Sequence, residues 1–362
     1  MSTYKLIHLV RKVGPTSMPW NDLYGSHLNI NKFAAGFVFE ISREGKQGIN
    51  KDVNTKRNFF RLRFLNAFFA LMKINIRSKR KKYILIIHIH NMSLIPYALC
   101  LKLFGIKSVL NVHNSLVNYN FLQRNLFNFG AKYFDSIIPV SECVGIEVIK
   151  KYPKLIHKVE PIRNGIHVKL LDQINSLESF SKKDIDVIII ARFVEQKNIF
   201  RVINVLSCCQ HLDKAVWFGI GPHFDKVEAL IENKNMSTKV NLKGLRSREV
   251  VLDAINRSKV FLSLSKWEGL GVANIEALAL PTEVILSKID PHIELKNGNN
   301  LTICDLEKSN IDIASIIDQN ILHIQNRESF LIKRASQTRK DYDLHKKVNQ
   351  YIDVYRSLTV SS

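Results

Sequence analysis

Residues Lys266–Leu280 read KWEGLGVANIEALAL, with two glutamates, Glu268 and Glu276, on either side of a Gly-Leu-Gly turn that opens an apolar helical run. The β-branched run Val260–Leu264 stands directly before it, so the sequence reads strand, turn, helix. Such a junction is where α/β folds collect ligand groups. A helix start around Gly271–Ala273 suits an anion. A carboxylate about a turn inside the helix can accept hydrogen bonds from vicinal hydroxyls, as carboxylates do with ribose.

The same arrangement recurs on both sides of this stretch. Strands are expected at Asp186–Ala191, Ala215–Gly219, Val240–Leu242, Val260–Leu264 and Glu283–Leu286, with helical patterns between them. The polar residues follow the strand ends: Arg192 and Lys197 after the first, Gly221 after the second, Gly244 after the third. Glycine there suits a sharp turn or close backbone approach to a ligand. The first half repeats the alternation, with strands expected at Tyr4–Val10, Phe37–Ile41, Tyr83–His88, Ser108–Val112 and Ser136–Val140, and helical patterns near 58–76, 92–104, 121–133 and 142–151. Alternating strands and helices imply parallel sheets with crossover helices. The expected architecture is therefore two Rossmann-like, doubly wound α/β domains facing across a cleft. We place them at 1–168 and 185–340, joined by a polar linker at 169–184, with 341–362 forming a helix that packs back toward the first domain.

Composition narrows the function classes. The chain has 362 residues, 46% of them apolar, and shows neither a long uncharged apolar run nor a signal-peptide pattern, so a cytoplasmic protein is expected. Five scattered cysteines without zinc-ligand spacing fit reduced thiols, and no metal site is expected. The formal net charge of +21 is uneven. Residues 1–170 hold 27 Lys and Arg against 8 Asp and Glu, the remainder 26 against 24. A basic first half attracts anionic lipid, a phosphorylated acceptor or nucleic acid, and charge alone does not choose. The stretch 59–82, FFRLRFLNAFFALMKINIRSKRKK, ends in a cationic cluster. Its place before a strand makes it a crossover helix whose cations can still face a membrane.

The quoted motifs carry a family resemblance. SKWEGLGVANIEALAL (265–280) resembles the Glu-x7-Glu element of retaining GT-B glycosyltransferases of family 4, and ARFVEQKN (191–198) their Arg…Lys donor-phosphate element. FGIGP (218–222), NVHNS (111–115), SIIPVSE (136–142), RNGIH (163–167) and SKIDPHIEL (287–295) resemble further landmarks in order. Three departures stand out. Pro281-Thr282-Glu283-Val284 replaces the usual Gly-Thr-Pro-Val turn, the N-terminal glycine loop is reduced to Gly14-Pro15, and His167 stands where members usually show Asp.

The resemblance implies transfer of a sugar from a nucleotide-sugar donor to an oligosaccharide or lipid-linked acceptor with retention at the anomeric carbon, in cell-surface polysaccharide synthesis and without cofactor or metal. It assigns Glu268 to positioning the sugar, Glu276 to the ribose, Arg192 and Lys197 to the diphosphate, and His113 to the active site. Gly14, Gly221, Gly244, Gly269, Leu270 and Gly271 line the expected substrate site. His88 and His90 alternate along a strand end and are expected to be structural. A GT-B-shaped nucleotide-sugar epimerase is disfavoured by the glutamate pair. The other alternative is a non-catalytic protein that binds nucleic acid or membrane through its basic half. Of the charge-driven partners, peripheral contact with anionic membrane is favoured over nucleic acid.

Overall fold

The computed structural model describes residues 4–10, 37–41, 59–62, 64–174, 183–296 and 300–360. They form two compact units: one runs to Gly165 and resumes at Leu344, the other spans Ile166–Asp343. The expected linker, 169–184, opens with the end of a short helix, Val168–Gln173, and its residues 175–182 lie outside the described residues.

The first unit is a six-stranded parallel sheet of β1 (Tyr4–Val10), β2 (Phe37–Ile41), β3 (Phe59–Leu62), β4 (Ile84–Ile89), β5 (Lys107–Val112) and β6 (Ser136–Pro139), in the spatial order β3-β2-β1-β4-β5-β6. The second contains β7 (Ile185–Ile190), β8 (Ala215–Phe218), β9 (Val240–Gly244), β10 (Ser258–Ser263), β11 (Glu283–Ser287) and β12 (Thr302–Cys304), ordered β12-β11-β10-β7-β8-β9. Each order reverses at the strand that opens its unit. That is the doubly wound topology, whose switch point leaves a crevice at the strands' carboxyl ends.

Both faces of these sheets are covered, so the central strands are mostly apolar. In the first unit, Ile7, Leu9, Leu85, Ile87, Ile89 and Leu110 point to one face and pack with the helices Ile95–Lys102, Phe121–Gly130 and Glu142–Lys151. Leu6, Ile86, Val109 and Ile138 point to the other, where Leu344, Val348, Tyr351, Ile352 and Tyr355 of the helix Leu344–Val360 cover them. The period-two alternation continues to the strand ends. It puts His8, His88 and Asn111 on the face under that last helix.

Two expectations need correction. Phe59–Leu62 lies inside the segment read as helix from 58, yet it is an edge strand paired with β2 from Val38↔Phe59 to Ile41↔Leu62, and the helix begins only at Phe64. A short apolar run has no periodicity that separates a strand from a helix. The three-residue edge strand β12, paired with β11, was not expected at all.

The departure at Pro281-Thr282-Glu283-Val284 has its own support. Arg334 is buried and donates to the carbonyls of Leu278 (3.3 Å), Leu280 (2.9 Å) and Thr282 (2.6 Å), while the Glu283 carboxylate takes Arg327 Nε at 2.6 Å. Burial raises the Glu283 pKa above the usual carboxylate range, and the guanidiniums of Arg327 and Arg334 work against that rise. This clamp fixes the turn that ends the Glu276 helix. Arg334→Met should lower stability by about 2–4 kcal/mol, because several buried carbonyls lose their donor. An unchanged urea midpoint would show that these carbonyls find other partners.

Candidate active site

β7 and β10 are hydrogen-bonded neighbours, with Val187 opposite Val260, so the loops that leave their carboxyl ends run side by side. The loops are tied together. Gln196 O accepts from Lys266 N (2.9 Å), Gln196 Nε2 donates to Trp267 O (2.9 Å), and Lys266 Nζ reaches Glu195 Oε1 at 2.9 Å. The β7 loop makes a single tight turn, Glu195–Lys197, and enters the helix Ile199–Leu206 through Asn198 in the left-handed region (φ 52°). This registration carries Lys197 to Glu268, and the two side chains form an ion pair. Ser265 Oγ donates to the same carboxylate oxygen at 2.9 Å. Arg192 stands at the mouth of the β7 loop with its side chain exposed.

Glu276 lies in the helix Val272–Leu278 and pairs with Arg248, at the start of the helix Arg248–Asn256. The side chains keep only 12% (Arg248) and 9% (Glu276) of their surface exposed, so the two opposite charges meet largely out of water. Arg248 was missed in the sequence. Its signal was present, since GLRSREV (244–250) follows a strand end as ARFVEQKN does.

A hydrogen-bonded ring backs the glutamates. His292 Nδ1 donates to Ser287 O (2.9 Å), which leaves Nε2 to accept from Asn274 Nδ2 (3.0 Å). Ser287 Oγ donates to Ser265 O (2.6 Å), closing the path to the residue that holds Glu268. Burial lowers the His292 pKa to about 4, against an opposing effect of the nearby Glu268 charge. Gly271 makes room for this ring, since a Cβ there would lie 2.7 Å from the Asn274 amide.

The other glycines have backbone duties. A Cβ on Gly221 would meet Phe193 O at 2.5 Å, because the β7 and β8 loops pack main chain to main chain there, with Phe193 N donating to Ile220 O (3.1 Å). Gly219 is tighter still, with Ala191 O only 2.0 Å from the Cβ position. Gly244 ends β9 in the left-handed region (φ 62°), and its carbonyl accepts from Gly219 N. Gly269 and Leu270 are buried in the turn. Gly14 lies outside the described residues. The second unit thus brings Lys197, Glu268, Gly269, Leu270, Gly271 and Glu276 to one end of its sheet, beside Arg192 and the loops of Gly221 and Gly244.

His113 belongs to the first unit and follows β5. Asn111 Nδ2 donates to its Nδ1 (3.3 Å). Asn111 Oδ1 in turn accepts from His88 Nε2 (3.0 Å) and from Tyr351 OH (3.3 Å), and Tyr355 OH donates to His88 Nδ1 (2.6 Å). Burial holds the His88 pKa down at about 3; burial and the neighbouring His88 hold His113 well below the usual imidazole value. His8, His88 and His90 bring ring nitrogens within 4.8 Å of one another, a grouping able to attract a metal. Both nitrogens of His88 are already engaged, however, so a metal there would have to displace Tyr355 or Asn111.

Two of the buried imidazoles, His88 and His292, set a pH dependence. His88 and His292 have pKa values of about 3 and about 4 in the fold, below the ordinary 6.5, so under pH 6.5 the unfolded chain binds more protons. Their stabilising contribution is complete above pH 6.5 and falls with pH down to about 4, each site removing about 1.4 kcal/mol per pH unit. Urea midpoints between pH 7 and 4.5 should fall accordingly, and His292→Gln should flatten the slope. An equal slope in that variant would show that His292 does not contribute.

Residues 173–337 match the family described as glycosyl transferases group 1. The GPI3 subunit of Saccharomyces cerevisiae phosphatidylinositol N-acetylglucosaminyltransferase is 22% identical over 269 residues, covering 71% of this chain and 59% of the yeast protein. The poly(ribitol-phosphate) alpha-N-acetylglucosaminyltransferase of Staphylococcus aureus is 23% identical over 236 residues, covering 63% of this chain and 45% of that one. The chain thus spans about half the length of these curated relatives. Among solved structures, Anabaena HepE in complex with UDP and glucose superposes with a TM-score of 0.78 at 14% identity, covering 98% of this chain and 100% of HepE. A glycosyltransferase of Rickettsia africae gives 0.78 at 17% identity and covers both chains completely. These neighbours and the two doubly wound sheets give the chain the GT-B fold, and the match to the glycosyl transferases group 1 falls within its second unit.

Proposed function

We propose that the chain is a retaining glycosyltransferase that moves a sugar from a nucleoside-diphosphate donor to a glycan or lipid-linked acceptor in cell-surface polysaccharide synthesis. The observation that carries this reading is the pairing of Glu268 with Lys197 and of Glu276 with Arg248 at one end of the second sheet. Two hydroxyl-accepting carboxylates and a set of guanidinium and ammonium groups match the two ends of a nucleotide-sugar. The matched relatives are named for N-acetylglucosaminyl transfer and HepE was solved with UDP and glucose, which favours a UDP-sugar donor.

In the proposed reaction the bond from the anomeric carbon to the diphosphate oxygen breaks, and the acceptor oxygen bonds to that carbon on the same face. The acceptor proton passes to the leaving phosphate oxygen, so the chain supplies no covalent nucleophile. Lys197 and Arg192 stabilise the charge that grows on the diphosphate. Glu268 orients the sugar and Glu276 the ribose hydroxyls. His113 donates a hydrogen bond to substrate. None of these steps calls on a metal.

Incubation with a panel of nucleotide-sugars tests the reading. Nucleotide release that depends on an added acceptor is expected; interconversion of free donor without acceptor, or no turnover, refutes it. Glu276→Ala should weaken binding of UDP by about 1–3 kcal/mol, measured by calorimetry. Unchanged affinity would remove the ribose assignment. Arg192→Ala should lower kcat while leaving the melting temperature unchanged, and undiminished turnover would remove its phosphate role.

The basic first unit is proposed to rest on an anionic membrane at the inner face of the cell. No helix among the described residues is long and apolar enough to cross a bilayer. The helix Phe64–Arg80 leaves Phe69 and Ile76 exposed and leads into the exposed cluster Arg77, Lys79, Arg80, Lys81 and Lys82. Each such cation is worth about 1 kcal/mol near the lipid surface and is screened by salt. Changing all five to glutamine should reduce sedimentation with anionic vesicles at low salt. Equal binding of anionic and neutral vesicles by the unaltered protein would dismiss the membrane contact.

A further inference from the structure

We infer that Asn111 is a positioning residue that fixes His113 as the neutral tautomer carrying its proton on Nε2, and that the helix Leu344–Val360 sets Asn111 through Tyr351 and Tyr355. The inference rests on the substrate role proposed for His113 and states which chemistry that imidazole can perform.

The argument follows donors and acceptors in order. Asn111 Oδ1 only accepts, and it lies 3.0 Å from His88 Nε2, so that nitrogen donates. A neutral imidazole that donates at Nε2 accepts at Nδ1, and there Tyr355 OH lies at 2.6 Å. Tyr351 OH gives its hydrogen to the same oxygen at 3.3 Å. With its oxygen side taken by two donors, the Asn111 amide presents its NH2 to His113 Nδ1 at 3.3 Å. An amide NH2 only donates, so His113 Nδ1 must accept and the ring proton must sit on Nε2.

The surroundings keep this arrangement neutral. His113 stacks on His90 with ring planes 10° apart; among the described residues, His88 on β4 and Tyr119 beyond β5 also act on it, and His8 on β1 and Tyr351 and Tyr355 on the last helix lie against His88. Burial presses His88 and His113 toward their neutral forms. The consequence is specific. His113 gives a hydrogen bond without carrying charge, and through Nε2 it has no lone pair with which to take the acceptor's proton.

The test is the side-chain 15N spectrum of the full chain labelled at histidine, with His113 assigned by the signals lost in His113→Gln. The unaltered protein should show His113 protonated at Nε2 and unprotonated at Nδ1, without titration between pH 6 and 8. A proton on Nδ1, or a titration in that range, overturns the inference. Asn111→Asp replaces the NH2 by a second acceptor and should move the proton to Nδ1. It should lower kcat by about a hundredfold, the order lost when one preorganised hydrogen-bond donor is removed, with donor KM within about twofold. Wild-type kcat in a variant whose tautomer has inverted would also overturn it. If Asn111→Asp does not fold, the spectrum of the unaltered protein still decides. If the chain turns over no nucleotide-sugar at all, the proposed function fails while the tautomer remains readable.

Discussion

The parallel pairing of β7 with β10 is the constraint on which the site of the second unit depends. These strands are separated in sequence by two strand-helix repeats, yet the doubly wound order makes them neighbours. Only that adjacency lets the loop carrying Lys197 lie against the loop carrying Glu268. Once they touch, the remaining geometry follows from local chemistry. The Gln196 and Lys266 hydrogen bonds set the spacing, Ser265 orients the carboxylate, and the Gly-Leu-Gly turn starts the helix that carries Glu276.

Much of this was legible in the sequence because parallel central strands write themselves as apolar runs with turn residues at each end. β1 and β2 have the expected limits, and β7, β8, β10 and β11 are displaced by a residue or two. The glutamates, Arg192 and Lys197 were legible for the same reason: each follows a strand end. Edge strands were not. Phe59–Leu62 has one neighbour and an aromatic-rich sequence that suits either element, while Thr302–Cys304 is too short to show alternation. Partner choice was also hidden. Nothing near Glu276 in the chain points to Arg248, since the contact is made by strand order, and the ring through Asn274, His292 and Ser287 joins residues whose side chains meet only after β11 is laid beside β10.

The first unit shows how a strand pattern can hide chemistry in plain view. His8, His88 and Asn111 occupy positions that alternation assigns to one covered face, where apolar residues would serve packing as well. They are instead bonded to one another's neighbours and to two tyrosines of the chain's last helix. His88 was expected to be structural. It is buried and uncharged, and it is also one bond away from the asparagine that holds His113.

The ion pair between Lys197 and Glu268 has a consequence for the end of a catalytic cycle. The ammonium has a counter-ion from its own chain, and a diphosphate that binds as proposed must share or displace it. When the product leaves, Glu268 is there to reclaim Lys197, so departure does not strand a partly buried cation. In the proposed reaction the carboxylate is thus an internal competitor for Lys197, one that loosens the grip on spent nucleotide.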